Sequence, residues 1–83
     1  MSTDGTAPIP HDTEIDTSGL QCPLPILRAK KALNAMESGQ VLRVITTDPG
    51  AERDFQAFAV QTGNALLSQQ MDGQRGIHYL RRR

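Results

Sequence analysis

Between Pro23 and Glu37 apolar residues recur at Ile26, Ala29, Leu33 and Met36, steps of three, four and three that draw one stripe along a helix. Arg28, Lys31 and Asn34 fall off that stripe and are expected to face water or a partner, and Gly39 is placed to stop the helix. The run "VLRVITT" (41–47) has period two instead. Leu42, Val44 and Thr46 alternate with Val41, Arg43, Ile45 and Thr47, the pattern of a strand. Arg43 marks one face of that strand as partly exposed, which predicts a sheet covered by helices on one side.

A second helical stretch spans 48–63. Asp48 is expected to cap it, Pro49 suits its first position, and Glu52 and Asp54 put negative charge near its positive end. Ala51, Phe55, Phe58 and Thr62 share a face, and Gly63 ends the helix. "TEIDT" (13–17) reads as a short strand followed by a "SGLQ" turn, in which Gly19 can take a positive φ. "ALLSQQM" and "IHYLRR" are strand-like runs around a hairpin signal at Asp72-Gly73. The predicted order is β-α-β-α-β-β. It implies an α/β (α+β) two-layer sandwich, a four-stranded mixed sheet with two helices on one face.

The length, 83 residues, fits one small domain with a thin core, and the polar first residues read as a flexible tail (1–12) before a domain at 13–83. Aromatics are limited to Phe55, Phe58 and Tyr79, so aliphatic side chains must fill the interior. A single cysteine cannot form an internal disulfide, which favours a reducing compartment. The start of the chain lacks the basic and apolar regions of a secretory signal, and no stretch approaches the roughly 20 apolar residues of a membrane span. A soluble cytoplasmic protein with no membrane partner is expected.

The formal charge is zero but uneven: residues 1–22 carry four acidic groups and no Lys or Arg, and the remainder carries nine basic and five acidic groups. An ordinary solvated surface accounts for this by default. A basic face for an acidic protein or RNA is the sharper alternative.

The chemistry concentrates in "GLQCPLPILRAKKAL" (19–33). A lone cysteine is usually inert filler, but Cys22 follows a Gly turn and precedes a helix. With Cys22 at the cap, the helix end, worth roughly half a positive charge, would favour a thiolate. Pro23 and Pro25 carry no amide hydrogen, so Leu24 and Ile26 remain as donors, and the sulfur would be ionised yet under-bonded. Leu24 precedes a proline and is disfavoured inside a helix, which moves the start toward Pro25.

His11 in the tail and His78 in the last strand have no spacing that sets either beside Cys22, so a Cys-His pair is not supported. One Cys and two scattered His do not make a metal site, and no second Cys completes a C-x-x-C switch. A lone thiol of this kind suits accepting a group and passing it on. Two rivals stand beside that reading: an RNA- or protein-binding regulatory module with a structural Cys22, and a thiol redox sensor, which lacks a resolving cysteine. The scarcity of aromatics argues against single-stranded RNA, since the open sheet face offers at best Tyr79, and three terminal arginines add little.

Asp16, Gly19, Cys22, Pro23 and Pro25 fit D-x-x-G-x-x-C-P-x-P, followed by "KKAL" and by G-x-V-L-x-V-x-T-x-D-P-G-A-x-x-D-F-x-A-F from Gly39 to Phe58. Over residues 13–82 the chain closely resembles the TusA/SirA family of sulfur carrier proteins. The resemblance implies a two-layer sandwich similar to the C-terminal domain of bacterial translation initiation factor three. It implies a sulfur carrier rather than a stand-alone catalyst, with sulfane sulfur held as a persulfide on Cys22 and no other cofactor. A cysteine desulfurase or rhodanese-like donor would load the sulfur, and a downstream protein would accept it for tRNA thiolation, molybdenum cofactor assembly or sulfur oxidation. Asp16, Gly19, Asp48 and Pro49 match motif positions and read as structural. Asp54 and Arg53 could line a partner surface, and Arg28, Lys30 and Lys31 lie within about two turns of Cys22, as a dock for an acidic patch. Ala59 stands in a segment where some members carry a further cysteine, so transfer from Cys22 must go to another molecule.

Overall fold

The alternation of apolar and polar positions builds six elements, and the computed structural model describes residues 9–83 of them and their connections. They are β1 (Thr13–Thr17), α1 (Leu24–Asn34), β2 (Val41–Thr46), α2 (Ala51–Thr62), β3 (Ala65–Asp72) and β4 (Arg75–Arg81). The sheet order is β1-β2-β4-β3. β1 and β2 are parallel, joined by the α1 crossover, while β4 lies antiparallel to both β2 and β3. This is the mixed four-stranded sheet and element order that the hydrophobic pattern predicts.

Register decides which residues meet the helices. Ile15, Val44, His78 and Gln69 stand across from one another, as do Leu42, Leu80 and Leu66. Leu42, Val44 and Leu80 are fully buried and pack with Ala29, Leu33 and Met36 on one side and Ala51, Phe55 and Phe58 from α2. Small residues, Ala29, Ala51 and Ala59, let the helices sit close, and the two phenylalanines meet edge to face at 6.1 Å. Burying side chains of this size contributes about 1.5–3 kcal/mol each, so a handful of them carries the domain.

The opposite face is less open than Arg43 suggests. Arg43 Nε donates to Tyr79 Oη at 3.1 Å, its guanidinium lies 5.9 Å from the ring centroid, and it pairs with Glu14 across the parallel strands. The His11 ring stands 6.1 Å from the same tyrosine, which is 1% exposed. Tyr79 therefore presents no surface on which a base could stack.

Three local expectations are corrected. Helix α1 ends at Asn34 with Ala35 as its cap, where the Ala35 and Met36 N–H groups bond only three residues back, to Ala32 O and Leu33 O, and Gly39, at φ 89°, turns the chain only later. The second helix begins at Ala51 with Gly50 as its cap, so Asp48 is not the capping side chain and Pro49 not the first helical residue. The hairpin loop is Gly73-Gln74, with Gly73 at φ 63°, one residue beyond the expected pair, since Asp72 still pairs with Arg75. Of the expected tail, residues 1–8 lie outside the described residues. Asp12 is fixed at the start of β2, where its N–H donates to Val41 O and its carboxylate accepts from Val41 N, both at 2.8 Å.

Candidate functional site

The loop from β1 to α1 is stitched to the sheet at several points. Thr17 Oγ1 donates to Ile45 O at 2.6 Å, Asp16 Oδ1 accepts from Ser18 N at 2.9 Å, and Leu20 N donates to Thr17 O at 3.1 Å. The Ser18 bonds, with Arg75 nearby, hold the Asp16 carboxyl below its ordinary range. Gly19 takes φ 82°, a conformation that other residues adopt at a cost, and its N–H donates to Thr47 Oγ1 at 2.8 Å. Asp16 and Gly19 thus hold the turn that delivers Cys22, which is a free and exposed thiol.

The helix start differs from the expected one. The cap is Pro23, Pro25 lies within the first two helical positions and is buried, and Cys22 stands one residue outside the helix, joined to Pro23 by a cis peptide. No side chain caps this end. Leu24, which one would disfavour before a proline, is the first helical residue, and its N–H is spent on Gln21 O at 2.8 Å rather than directed at the sulfur. The two prolines do thin the donors, as their lack of an amide dictates.

The charge around the sulfur reverses the expected ionisation. Interaction with the Asp54 side chain, partial desolvation and the charges of Asp54 and Asp48 push the Cys22 thiol above its ordinary pKa. Full charges on two carboxylates outweigh a helix end worth roughly half a charge. Both carboxylates come from the start of α2. Ala51 N donates to Asp48 O and Asp54 N to Gly50 O, each at 3.0 Å. A Cβ placed on Gly50 would sit 3.3 Å from Asp48 Oδ2 and 3.8 Å from Asp54 Oδ2, so the two side chains converge above this glycine. Asp48 and Asp54, 26 and 32 residues from Cys22 along the chain, are the carboxylates whose charge acts on it.

The basic residues divide. Arg28 and Lys31 line a groove of about 520 Å³ between α1 and β1, with Ile15, Asp16 and Thr17. Lys30 lies on the other flank of α1, in a groove with Phe58, Thr62 and Arg82. Arg53 sits beside Pro49, Glu52 and Asp54. Between the flanks runs a ridge that the core stripe did not reveal: Leu24 is 43% and Leu27 53% exposed. Their spacing to Lys31, three and then four residues, was the available signal.

Two other sequence features have structural employment. His78 is fully buried and stacks on Phe55 at 4.8 Å, bonded to Thr46 and Gln69, so it takes no part at Cys22. At the chain end, Arg82 Nε donates to Leu33 O at 2.7 Å, tying off the C-terminus of α1, and Arg83 lies against Gly63 at the C-terminus of α2. Cations at helix C-termini are favoured by the peptide dipoles.

A two-layer sandwich that offers one free thiol from a Gly-turn and Cys-Pro-x-Pro element is the class of protein defined by this fold and site. Residues 13–82 match the family model described as Sulfurtransferase TusA. The chain belongs to that family. It is 64% identical over 69 residues to the sulfur carrier protein TusA of Allochromatium vinosum, covering 83% of this chain and 90% of that protein. A putative sulfur carrier protein of Neisseria meningitidis serogroup A is 58% identical over 60 residues, 71% of this chain and 81% of the relative. Among solved structures, a SirA-like protein from Desulfitobacterium hafniense superposes with a TM-score of 0.75 at 28% identity, covering 84% of this chain and 96% of that one.

Proposed function

We propose that the protein is a sulfur carrier that holds sulfane sulfur as a persulfide on Cys22 and relays it between two other proteins. The observation that carries this reading is the placement of the chain's sole cysteine, exposed at the end of a loop stitched to the sheet, with no second thiol to resolve it. A persulfide formed there has no internal route to a disulfide, so it persists until another molecule's thiol removes it. The names carried by the relatives in Allochromatium vinosum and Neisseria meningitidis support the same role.

The donor is a cysteine desulfurase or a rhodanese-like protein and the acceptor a protein thiol. The identity of the acceptor selects among tRNA thiolation, molybdenum cofactor assembly and sulfur oxidation. The ridge of Leu24 and Leu27, flanked by Arg28 and Lys31 on one side and Lys30 on the other, is the surface offered to these partners. Apolar contact fixes the position, and the cations draw in an acidic patch. Arg53 lines a separate groove with Pro49, Glu52 and Asp54.

Incubation with a cysteine desulfurase and cysteine, followed by intact mass measurement, tests the reading. The expected product carries one extra sulfur, loses it to reductant and is not formed by Cys22→Ser. An unchanged mass for the wild-type chain, with either a desulfurase or a polysulfide as donor, would overturn it.

A further inference from the structure

Resting on that carrier reading, we propose that Thr47 is a positioning residue of the relay: its hydroxyl holds the Gly19 amide and so fixes the turn that presents the Cys22 sulfur to a docked partner.

The turn has little else to hold it. From Ser18 to Leu24 only Leu20 is half-buried, and every other residue is exposed. Gly19, at φ 82°, has no side chain, and nothing lies within 4 Å of where a Cβ would stand, so packing does not fix it. Two amides of the turn bond to its own beginning, Ser18 N to Asp16 Oδ1 and Leu20 N to Thr17 O. Such local bonds shape a turn without fixing where it points. The bond from Gly19 N to Thr47 Oγ1, 2.8 Å across 28 positions, is the one hydrogen bond among the described residues that joins residues 18–22 to a different strand. Thr47 is a firm anchor, because it directly follows β2, which is paired on both sides up to Thr46. On the other side, Pro25 is buried and anchors the start of α1. Cys22 hangs between these two fixed points, three residues after Gly19 and three before Pro25. Each intervening residue brings two soft dihedrals, so loss of one anchor lets the sulfur swing while it stays exposed.

Sulfur transfer depends on where that sulfur stands. In loading, the Cys22 thiolate attacks the outer sulfur of a donor persulfide. The new S–S bond forms on Cys22, the donor S–S bond breaks, and its electron pair leaves on the donor, so Cys22–S⁻ and donor–S–SH become Cys22–S–SH and donor–S⁻. In discharge an acceptor thiolate attacks the outer sulfur in the same way, and Cys22 leaves as a thiolate that takes up a proton from water. No oxidant or reductant enters either step. The attacking, central and leaving sulfurs must stand in line. A docked protein offers its sulfur from one direction, so alignment then rests on the carrier's own turn, whereas a small reagent approaches from any side. Thr47 therefore governs transfer between proteins and leaves the intrinsic reactivity of the thiol alone.

Thr47→Val removes the acceptor and keeps the branched side chain that lines a groove with Pro49 and Met71. The lost bond is exposed, so water takes its place and the urea midpoint is expected to stay at the wild-type value. Loading by a cysteine desulfurase is followed as initial rates of the one-sulfur adduct over a range of carrier concentrations. With Thr47→Val, kcat is expected to fall on the order of tenfold with KM unchanged. Alkylation by iodoacetamide and loading by inorganic polysulfide should match the wild type. Thr47→Ser keeps the hydroxyl and should restore kcat. A wild-type kcat in Thr47→Val, a deficit confined to KM, an equal deficit with the small reagents or no rescue by Thr47→Ser each overturns the role of Thr47 and leaves the carrier reading standing. Should Thr47→Val not fold, by circular dichroism, a synthetic chain with an ester in place of the Gly19 amide removes the same bond from the donor side. The same fall in kcat then supports the proposal, and a wild-type kcat overturns it. Failure of the wild-type chain to load from either desulfurase or polysulfide overturns the carrier reading itself.

Discussion

Thr46 Oγ1 and His78 Nε2 stand 2.9 Å apart on neighbouring strands, beneath the ring of Phe55. Gln69 Nε2 donates to His78 Nδ1 at 3.0 Å, so the proton of the neutral imidazole belongs on Nε2, where it is donated to Thr46. Gln69 in turn donates to Glu52 O and accepts from Gln56, which links the sheet to α2.

Burial lowers the His78 pKa from 6.5 to about 4. Above pH 6.5 the group is neutral in the folded and unfolded chains alike and adds no pH dependence. Between pH 6.5 and 4 the unfolded chain binds a proton that the folded chain refuses, so stability falls as pH falls, by about 3 kcal/mol over the whole interval. Urea unfolding at pH 7.5 and 5.0 is expected to show about 2 kcal/mol of this loss, and His78→Gln should flatten the difference. Working at pH 5 and above keeps the lowered Asp16 carboxyl ionised throughout.

Gly76 completes the same corner. A Cβ there would lie 2.8 Å from Thr46 Oγ1 and 2.9 Å from His78 Nε2, and 3.3 Å from Met71 Sδ. Both close atoms belong to buried side chains already bonded to each other, so neither can withdraw without breaking that bond. Gly76→Ala is expected to cost about 1–3 kcal/mol in urea unfolding at pH 7.5. The shift of the His78 ring resonances in NMR would report the displaced imidazole, and unchanged stability would show that the strand accommodates the methyl group.

Much of this architecture is written in local pattern. The period-two run at 41–46 and the stripe of Ala29, Leu33 and Met36 define core faces directly, because alternation and helical spacing translate into burial without reference to the rest of the chain. Gly19 and Asp16 are equally legible, since a positive φ and an Asx-type bond are local needs. The state of Cys22 was not. The carboxylates that raise its pKa, Asp54 and Asp48, come from the other crossover, far from Cys22 in sequence. The roles of Arg82 and His78 are likewise long-range: one bonds across 49 positions, the other across 32.

The bond from Arg82 Nε to Leu33 O predicts that the C-terminal arginines stabilise the fold. Arg82→Ala removes a charged donor from the last turn of α1, with an expected loss of about 1.5–3 kcal/mol. Arg82→Lys should recover only part of it, because an ammonium lacks the planar fork. Thermal unfolding measures both. A loss of RNA retention with unchanged stability would instead assign Arg82 to a binding surface.

The ridge on α1 yields the most direct test of docking. Leu24, Leu27 and Lys31 follow one another at steps of three and four on the side of α1 away from buried Ala29 and Leu33, with Leu24 two residues from the thiol. Lys31→Glu reverses a charge that contributes to encounter, so loading by a desulfurase is expected to slow by about tenfold at low salt. The deficit should shrink as ionic strength rises toward 1 M, where the Debye length falls to about 3 Å. Leu27→Ser removes contact area rather than charge, and its deficit should persist at every salt concentration. Alkylation of Cys22 by iodoacetamide should match the wild type in both variants, because a small neutral reagent needs no dock. Equal loading of all three chains by the desulfurase would move the docking surface elsewhere, with the groove beside Arg53 the next to be altered.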